Sequence, residues 1–193
     1  MLTAASNATR FLITTGPAAL HALIKRTNDP AIAMEGCRVW VNAIRSLART
    51  KREGDDKQAW DTLRDSQVIT DLCGMISRGE KYIVLVNEGV LALALLVSFG
   101  ERATEVDAAL AADPNANAND GAKGEKARSA AAVLASVLAP TPSMPVGSEV
   151  QANALTLVTI LGDGKVKAYV REQIAKAREE GRSVAAGVEV LDA

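Results

Sequence analysis

The stretch YIVLVNEGVLALALLVSFG, Tyr82–Gly100, decides the fold of this chain of 193 residues. Between its first residue and Ser98, the strongly polar residues are Asn87 and Glu88. An apolar run of this length fits a transmembrane helix, a helix buried in a protein core, or paired buried strands. A central glutamate is costly in lipid, and the leucine- and alanine-rich sequence after it favours a helix over a strand. We therefore predict the innermost helix of a layered all-α protein, without direct membrane insertion.

Composition narrows the class of protein. Apolar residues make up 48% of the chain and aromatic residues only 3%, so the core must be built from aliphatic side chains, which favours closely packed helices. The formal net charge of −1 gives no reason to expect a nucleic acid partner. Cys37 and Cys73 lack metal-ligand or redox spacing and fall in apolar helical patterns, so we expect two buried, inert thiols. With no disulfide framework and no secretion signal, we expect a cytoplasmic protein.

The apolar stretch is echoed twice in the chain, and each copy follows the same order: a medium helix, a turn and a longer apolar helix. The medium helices are predicted near 17–26, 67–78 and 125–139, and the long helices near 31–49, 81–98 and 149–161. Short additional helices precede the second and third copies. In the third copy, Ser148 followed by Gln151 matches a capping box at the start of the long helix.

Repeats of two or three helices at this spacing are typical of armadillo and HEAT proteins. The predicted fold is an all-α, armadillo/HEAT-like right-handed α-solenoid of about three repeats in a single domain, 1–193; an irregular helical bundle is the alternative. The predicted units are about 1–50, 57–100 and 102–163, followed by carboxy-terminal capping helices in 164–193. The asparagine-rich segment 113–124 is predicted to be a mobile loop because it contains no apolar group larger than alanine.

In an armadillo stack the third helix of each unit lines a concave groove, which usually binds proteins or peptides. The polar residues of the long helices then become successive rungs of one partner-binding surface. These residues are Glu35, Arg38, Asn42 and Arg45 in the first helix, Asn87 and Glu88 in the second, and Asn153, Thr156 and Thr159 in the third. Taken alone, the polar residues of the first helix, which continue to Arg49, are better described as an ordinary solvated helix face.

Enzyme chemistry has little to draw on in this sequence. None of the common nucleotide-binding, zinc-protease or nucleophile-elbow motifs occurs. His21 is the only histidine, and its place on an apolar helix favours a structural role. We therefore expect no enzyme, no cofactor and no metal site, although a helical enzyme or ligand-binding domain remains a third alternative.

Four strings give a resemblance to a known family. They are EGCRVWVNAIRSLAR (35–49), QVITDLCGMIS (67–77), NEGVLALALLVS (87–98) and EVQANALTLVTILGD (149–163). Their sequence and order resemble the carboxy-terminal armadillo repeats of the small-GTPase GDP-dissociation stimulator (SmgGDS) family, over roughly residues 10–190. The family is much longer than three repeats, so the chain looks like a carboxy-terminal part or a shortened relative, and segment 113–124 has no obvious counterpart in it.

The resemblance implies binding to Rho- and Ras-type small GTPases that carry a basic, prenylated tail. Family members act as guanine-nucleotide exchange factors and chaperones for these GTPases without catalytic residues in the usual sense. Arg38 matches an arginine of the family's groove, and Asn87, Glu88 and Asn153 fall on similar positions. Arg38 and Arg45 would then face acidic groups of the GTPase. The alternative function is an armadillo or HEAT scaffold for another protein partner.

Overall fold

The computed structural model describes residues 4–27, 29–50, 53–79, 81–100, 102–113, 128–141 and 145–192. These residues form ten α-helices and a short 3₁₀-helix, Val188–Asp192, and they contain no strand. The α-helices are α1 (Ala4–Leu12), α2 (Gly16–Arg26), α3 (Pro30–Leu47), α4 (Asp55–Leu63), α5 (Ser66–Arg78), α6 (Ile83–Gly100), α7 (Ala103–Ala111), α8 (Ala130–Leu138), α9 (Ser148–Ile160) and α10 (Lys165–Glu179). The all-α prediction is therefore confirmed. Apart from Asp113, the loop predicted at 113–124 lies outside the described residues.

Several helices begin where the sequence provides an acceptor for their first free N–H groups. The Asp29 carboxylate accepts from the N–H of Ala31 at 2.8 Å, directly before the proline that opens α3. The Ser129 hydroxyl does the same for the start of α8. The capping box predicted at Ser148 is wrong: Gly147 is the N-cap residue of α9, and the Gln151 side chain donates instead to the carbonyl of Val137 at 3.2 Å.

Helix α6 is the predicted central helix, and it is buried less completely than its sequence suggests. Six of its hydrophobic side chains are buried: Val86, Val90, Ala92, Leu93, Leu96 and Val97. The opposite face is open, since Val84 is 72% exposed and Leu91 and Leu95 are only partly buried. Tyr82–Gly100 therefore has an apolar face that no other described residue covers completely.

The helices pack in an ordered series. Helix α6 lies between α3 and α9, so these three helices form one row. Helix α5 lies between α2 and α8 and forms a second row, while α1 packs on α4 and α7 packs on α10. The two rows meet because α3 packs on α2, α6 on α5, and α9 on α8.

The two tryptophans anchor the first half of the core, and each has a phenylalanine partner. The rings of Phe11 and Trp40 are 6.0 Å apart, and those of Trp60 and Phe99 are 6.1 Å apart, both in tilted arrangements. Such aromatic pairs contribute about 0.5–1.5 kcal/mol of stabilisation beyond that expected from the area that they bury. Elsewhere the core is aliphatic, as the composition predicts. In the part of the chain described here, no helix is sufficiently long and apolar to cross a membrane.

Candidate functional site

The residues predicted to line a groove all lie in the row formed by α3, α6 and α9. We call their outward-facing surface the polar strip; its residues are Glu35, Arg38, Asn42, Arg45, Asn87, Glu88, Asn153 and Thr156. Each of these side chains is exposed or partly exposed. Two pairs of these residues form hydrogen bonds between neighbouring helices.

Arg38 joins α3 to α6. Its Nε donates to Glu88 Oε2 at 3.1 Å, and its Nη1 donates to Glu35 Oε1 at 2.9 Å. Glu35 and Glu88 both raise the pKa of Arg38, so the guanidinium stays charged. The Arg38 side chain is still 42% exposed and the Glu88 side chain 21%. One cation thus serves two carboxylates at the surface, where a partner can compete for it.

Asn87 and Asn153 join α6 to α9. The side-chain amide of Asn153 donates to the Asn87 side-chain oxygen at 2.9 Å, across 66 positions of sequence. Both residues are only partly buried. Together with the Arg38–Glu88 pair, this bond links the three helices of the polar strip at their surfaces.

The remaining strip residues are not engaged with other helices. Asn42 and Arg45 are exposed on α3, and no other described residue forms a hydrogen bond or ion pair with their side chains. The Thr156 and Thr159 hydroxyls donate to carbonyls of their own helix, those of Ala152 and Leu155, each at 2.8 Å. The structure therefore brings together four of the predicted residues by hydrogen bonding, with Glu35 attached through Arg38.

A buried polar cluster at the junction of α2, α3 and α5 was not predicted from the sequence. Its centre is Asp71, which is 6% exposed. His21 Nδ1 lies 2.9 Å from Asp71 Oδ2, and the indole N–H of Trp40 donates to the same oxygen at 3.0 Å. The pKa of Asp71 is raised above its usual value, because the effect of burial exceeds the opposing effect of the hydrogen bonds with His21 and Trp40. His21 therefore has a hydrogen-bonding partner in Asp71.

A second unpredicted carboxylate, Asp107 of α7, holds the start of α10. Its two oxygens accept from the backbone N–H groups of Lys165 at 3.0 Å and Val166 at 2.9 Å. Gly164 allows this approach, since a Cβ at that position would lie 2.4 Å from an Asp107 oxygen. Each aspartate lies three or four residues from buried apolar residues of its own helix, and so on the same helical face. This spacing was the available sequence signal.

The two cysteines are free and buried, as predicted. Burial raises the pKa of Cys37 to about 11 and that of Cys73 to about 12. Thiols with these properties are inert rather than nucleophilic. Among the described residues, no group of His, Cys, Asp and Glu side chains is arranged to hold a metal ion.

The polar strip is therefore the arrangement with the clearest potential function: three adjacent helices present charged, amide and apolar groups on one open surface. These groups can form hydrogen bonds, ion pairs and apolar contacts with another macromolecule. Comparison of the chain with family models, curated proteins and solved structures finds no match.

Proposed function

We propose that the chain is an armadillo-type α-solenoid that binds another protein along the polar strip. The observation that carries this proposal is the pair of bonds, Arg38 to Glu88 and Asn153 to Asn87, that connect α3, α6 and α9 into one surface. An uninterrupted surface of this kind is how helical repeat proteins present binding sites.

The order of packing supports the solenoid part of the proposal. Three successive helices, α1 to α3, are followed by α4 to α6 and α7 to α9, and each third helix packs on the next third helix. Two side-chain contacts between helices that hold the same place in the first two proposed units, His21–Asp71 and Arg38–Glu88, both join residues 50 positions apart. A shared spacing of this kind is expected where two repeats of similar length stack on each other.

A small GTPase of the Rho or Ras type, with a basic prenylated tail, is the partner that we propose. Support comes from the resemblance of the strings around Arg38, Asn87 and Asn153 to the SmgGDS family, whose groove uses matching positions. Exchange would follow from differential affinity: a protein that binds the nucleotide-free GTPase more tightly must weaken nucleotide binding by the same factor. No catalytic residue is needed for that activity.

The test is a binding measurement with prenylated and unprenylated Rho-type GTPases. We expect the combined variant Arg38→Glu and Asn42→Ala to lower affinity at least ~10-fold, equivalent to about 1.4 kcal/mol. In this variant three carboxylates meet where an ion pair stood. Arg171→Glu on α10 is the control, since Arg171 is also an exposed arginine with an ion-pair partner, Asp192, at 3.3 Å.

The outcomes separate the two parts of the proposal. If both variants bind the GTPase as the unchanged protein does, the polar strip is the wrong surface. If no GTPase binds, but another protein binds and its binding is lost on mutation of Arg38 and Asn42, the chain is a scaffold for that different partner. Thermal unfolding of each variant shows whether a loss of binding reflects loss of fold.

A further inference from the structure

The positive charge of the polar strip is unevenly paired along α3. Arg38 is shared by two carboxylates, whereas Arg45 and Arg49 are exposed and have no ion-pair partner among the described residues. Arg49 lies in the turn that follows α3, and the sequence continues with Lys51 and Arg52. Arg45 and Arg49 are therefore two cations at the far end of α3 that no described residue neutralises.

The floor of the strip, formed by α6, is apolar. Val84 has the largest exposed fraction of any large hydrophobic residue described, 72%. Leu91 and Leu95 follow Glu88 by three and seven positions, on the same side of the helix, and are partly exposed. From Gly89 to Gly100 the sequence contains no charged residue. Apart from Glu88, which is paired with Arg38, this floor offers an apolar contact and no charge to a ligand.

Apart from Glu149 at its start, the α9 edge is neutral over the same surface. Ala152, Thr156 and Thr159 are exposed there. Because the two threonine hydroxyls donate to their own helix, they present methyl groups and acceptor lone pairs outward. Glu149, at the start of α9, is the exposed acidic residue of this edge. The strip thus runs from a basic edge, across an apolar floor, to a neutral edge.

We infer that the segment of the partner held in the polar strip is an amphipathic helix with carboxylates along one side. This inference rests on the proposed protein-binding function. Packed helices lie about 8–10 Å apart, so α3 to α9 spans roughly 20 Å, which accommodates one helix about 10–12 Å in diameter. Its apolar face lies on Val84, Leu91 and Leu95, and its carboxylates meet Arg45 and Arg49. Recognition of this type places an amphipathic helix in a groove.

The position of the carboxylates follows from charge. The group of Glu35, Arg38 and Glu88 has one more carboxylate than cation, and therefore disfavours further acidic groups. Arg45 and Arg49 attract them without such competition. An acidic helix gains two charge-assisted contacts there, whereas a basic helix of the same apolar pattern leaves both arginines facing like charge.

The inference is tested with two fluorescein-labelled synthetic peptides that share one helical leucine pattern, one with glutamate and the other with lysine on the polar side. Fluorescence anisotropy with the full chain is expected to show the glutamate peptide binding at least ~10-fold more tightly than the lysine peptide. The double variant Arg45→Ala and Arg49→Ala should lose ~10-fold in affinity for the glutamate peptide, and Val84→Ser about threefold. Arg171→Ala, on α10, should change nothing.

Equal binding of the two peptides, or no binding of the glutamate peptide, overturns the inference. So does a double arginine variant that binds as tightly as the unchanged protein. The GTPase measurement separates this failure from that of the proposed function. A GTPase that is lost with Arg38→Glu and Asn42→Ala, but retained with Arg45→Ala and Arg49→Ala, leaves the function standing and removes the acidic helix. If the glutamate peptide binds but no GTPase does, the acidic-helix inference stands and the GTPase proposal fails.

Discussion

Two polar junctions between neighbouring helices differ in burial. At one, Arg38 of α3 pairs with Glu88 of α6 at the surface. At the other, His21 of α2 and Trp40 of α3 both contact Asp71 of α5 in the interior. Surface ion pairs contribute about 0–1 kcal/mol, whereas a buried polar group left without a partner costs about 1–3 kcal/mol. The buried junction therefore holds the helices together, and the exposed junction can exchange its partners for those of a ligand.

The largest expected effect breaks the buried junction. Asp71→Ala leaves the indole N–H of Trp40 without its acceptor and should lower the free energy of unfolding by about 2–3 kcal/mol. Urea denaturation measures the change. Asp61→Ala is the control, since Asp61 is an exposed aspartate with ion pairs to Lys57 and Arg64, and it should cost no more than ~0.5 kcal/mol. Equal losses in the two variants would remove the distinction between the junctions.

A second, smaller effect concerns the α7–α10 contact, whose expected contribution to stability lies between those of the two junctions. Asp107→Ala removes the acceptor of two backbone N–H groups at the start of α10 and should cost about 1–2 kcal/mol. Asp163→Ala is the control because Asp163 lies two residues before the start of α10, but its side chain is 89% exposed. Hydrogen exchange at Val166 and the following amides should accelerate in the first variant alone. Unchanged exchange there would show that the carboxylate does not hold α10.

At the exposed junction the expected effect on stability is smaller still. Arg38→Ala should change the free energy of unfolding by no more than about 1 kcal/mol, because the lost contacts are solvent-screened. Partner affinity should nevertheless fall, in contrast to the buried junction, where stability falls first. Denaturation and binding measured on the same preparation give both values. A stability loss as large as that of Asp71→Ala would contradict the division of roles.

The smallest effect concerns the thiols beside the buried junction. Cys37 and Cys73 have pKa values raised to about 11 and about 12, so at pH 8 little thiolate forms and access is blocked. We expect iodoacetamide to leave both unmodified in the native protein and to alkylate both in concentrated urea. Mass spectrometry reads the result. Rapid native alkylation of Cys73 would show that the interior near α5 opens more readily than this account allows.

The long helices were predictable from the sequence because their apolar periodicity is strong. The predictions near 31–49, 81–98 and 149–161 differ by at most two residues at each end from α3, α6 and α9. Asp71 and Asp107 were missed, since an aspartate on an apolar helix face is usually taken for an exposed residue. Their burial depends on acceptors and donors from distant helices, which local pattern does not reveal. The capping box failed for a similar reason: Gln151 finds its acceptor on α8.

The candidate site was predictable in position but not in its pairing. Helical spacing places Glu35, Arg38 and Asn42 on one face of α3, and this is where the structure has them. Periodicity alone cannot reveal that Arg38 reaches Glu88, because that bond depends on which helices pack together. The open face of α6 was unexpected for the same reason. Its leucines read as core residues until the neighbours of α6 are known.

The side-chain amides of the strip provide the most direct test of the central claim, that α3, α6 and α9 form a docking surface for a protein. In a nuclear magnetic resonance titration with a prenylated Rho-type GTPase, the NH₂ signals of Asn42, Asn87 and Asn153 should shift or broaden together. The NH₂ signal of Asn7, exposed on α1, should stay in place. Unchanged signals from all three strip residues, or perturbation of Asn7 alone, would contradict the account.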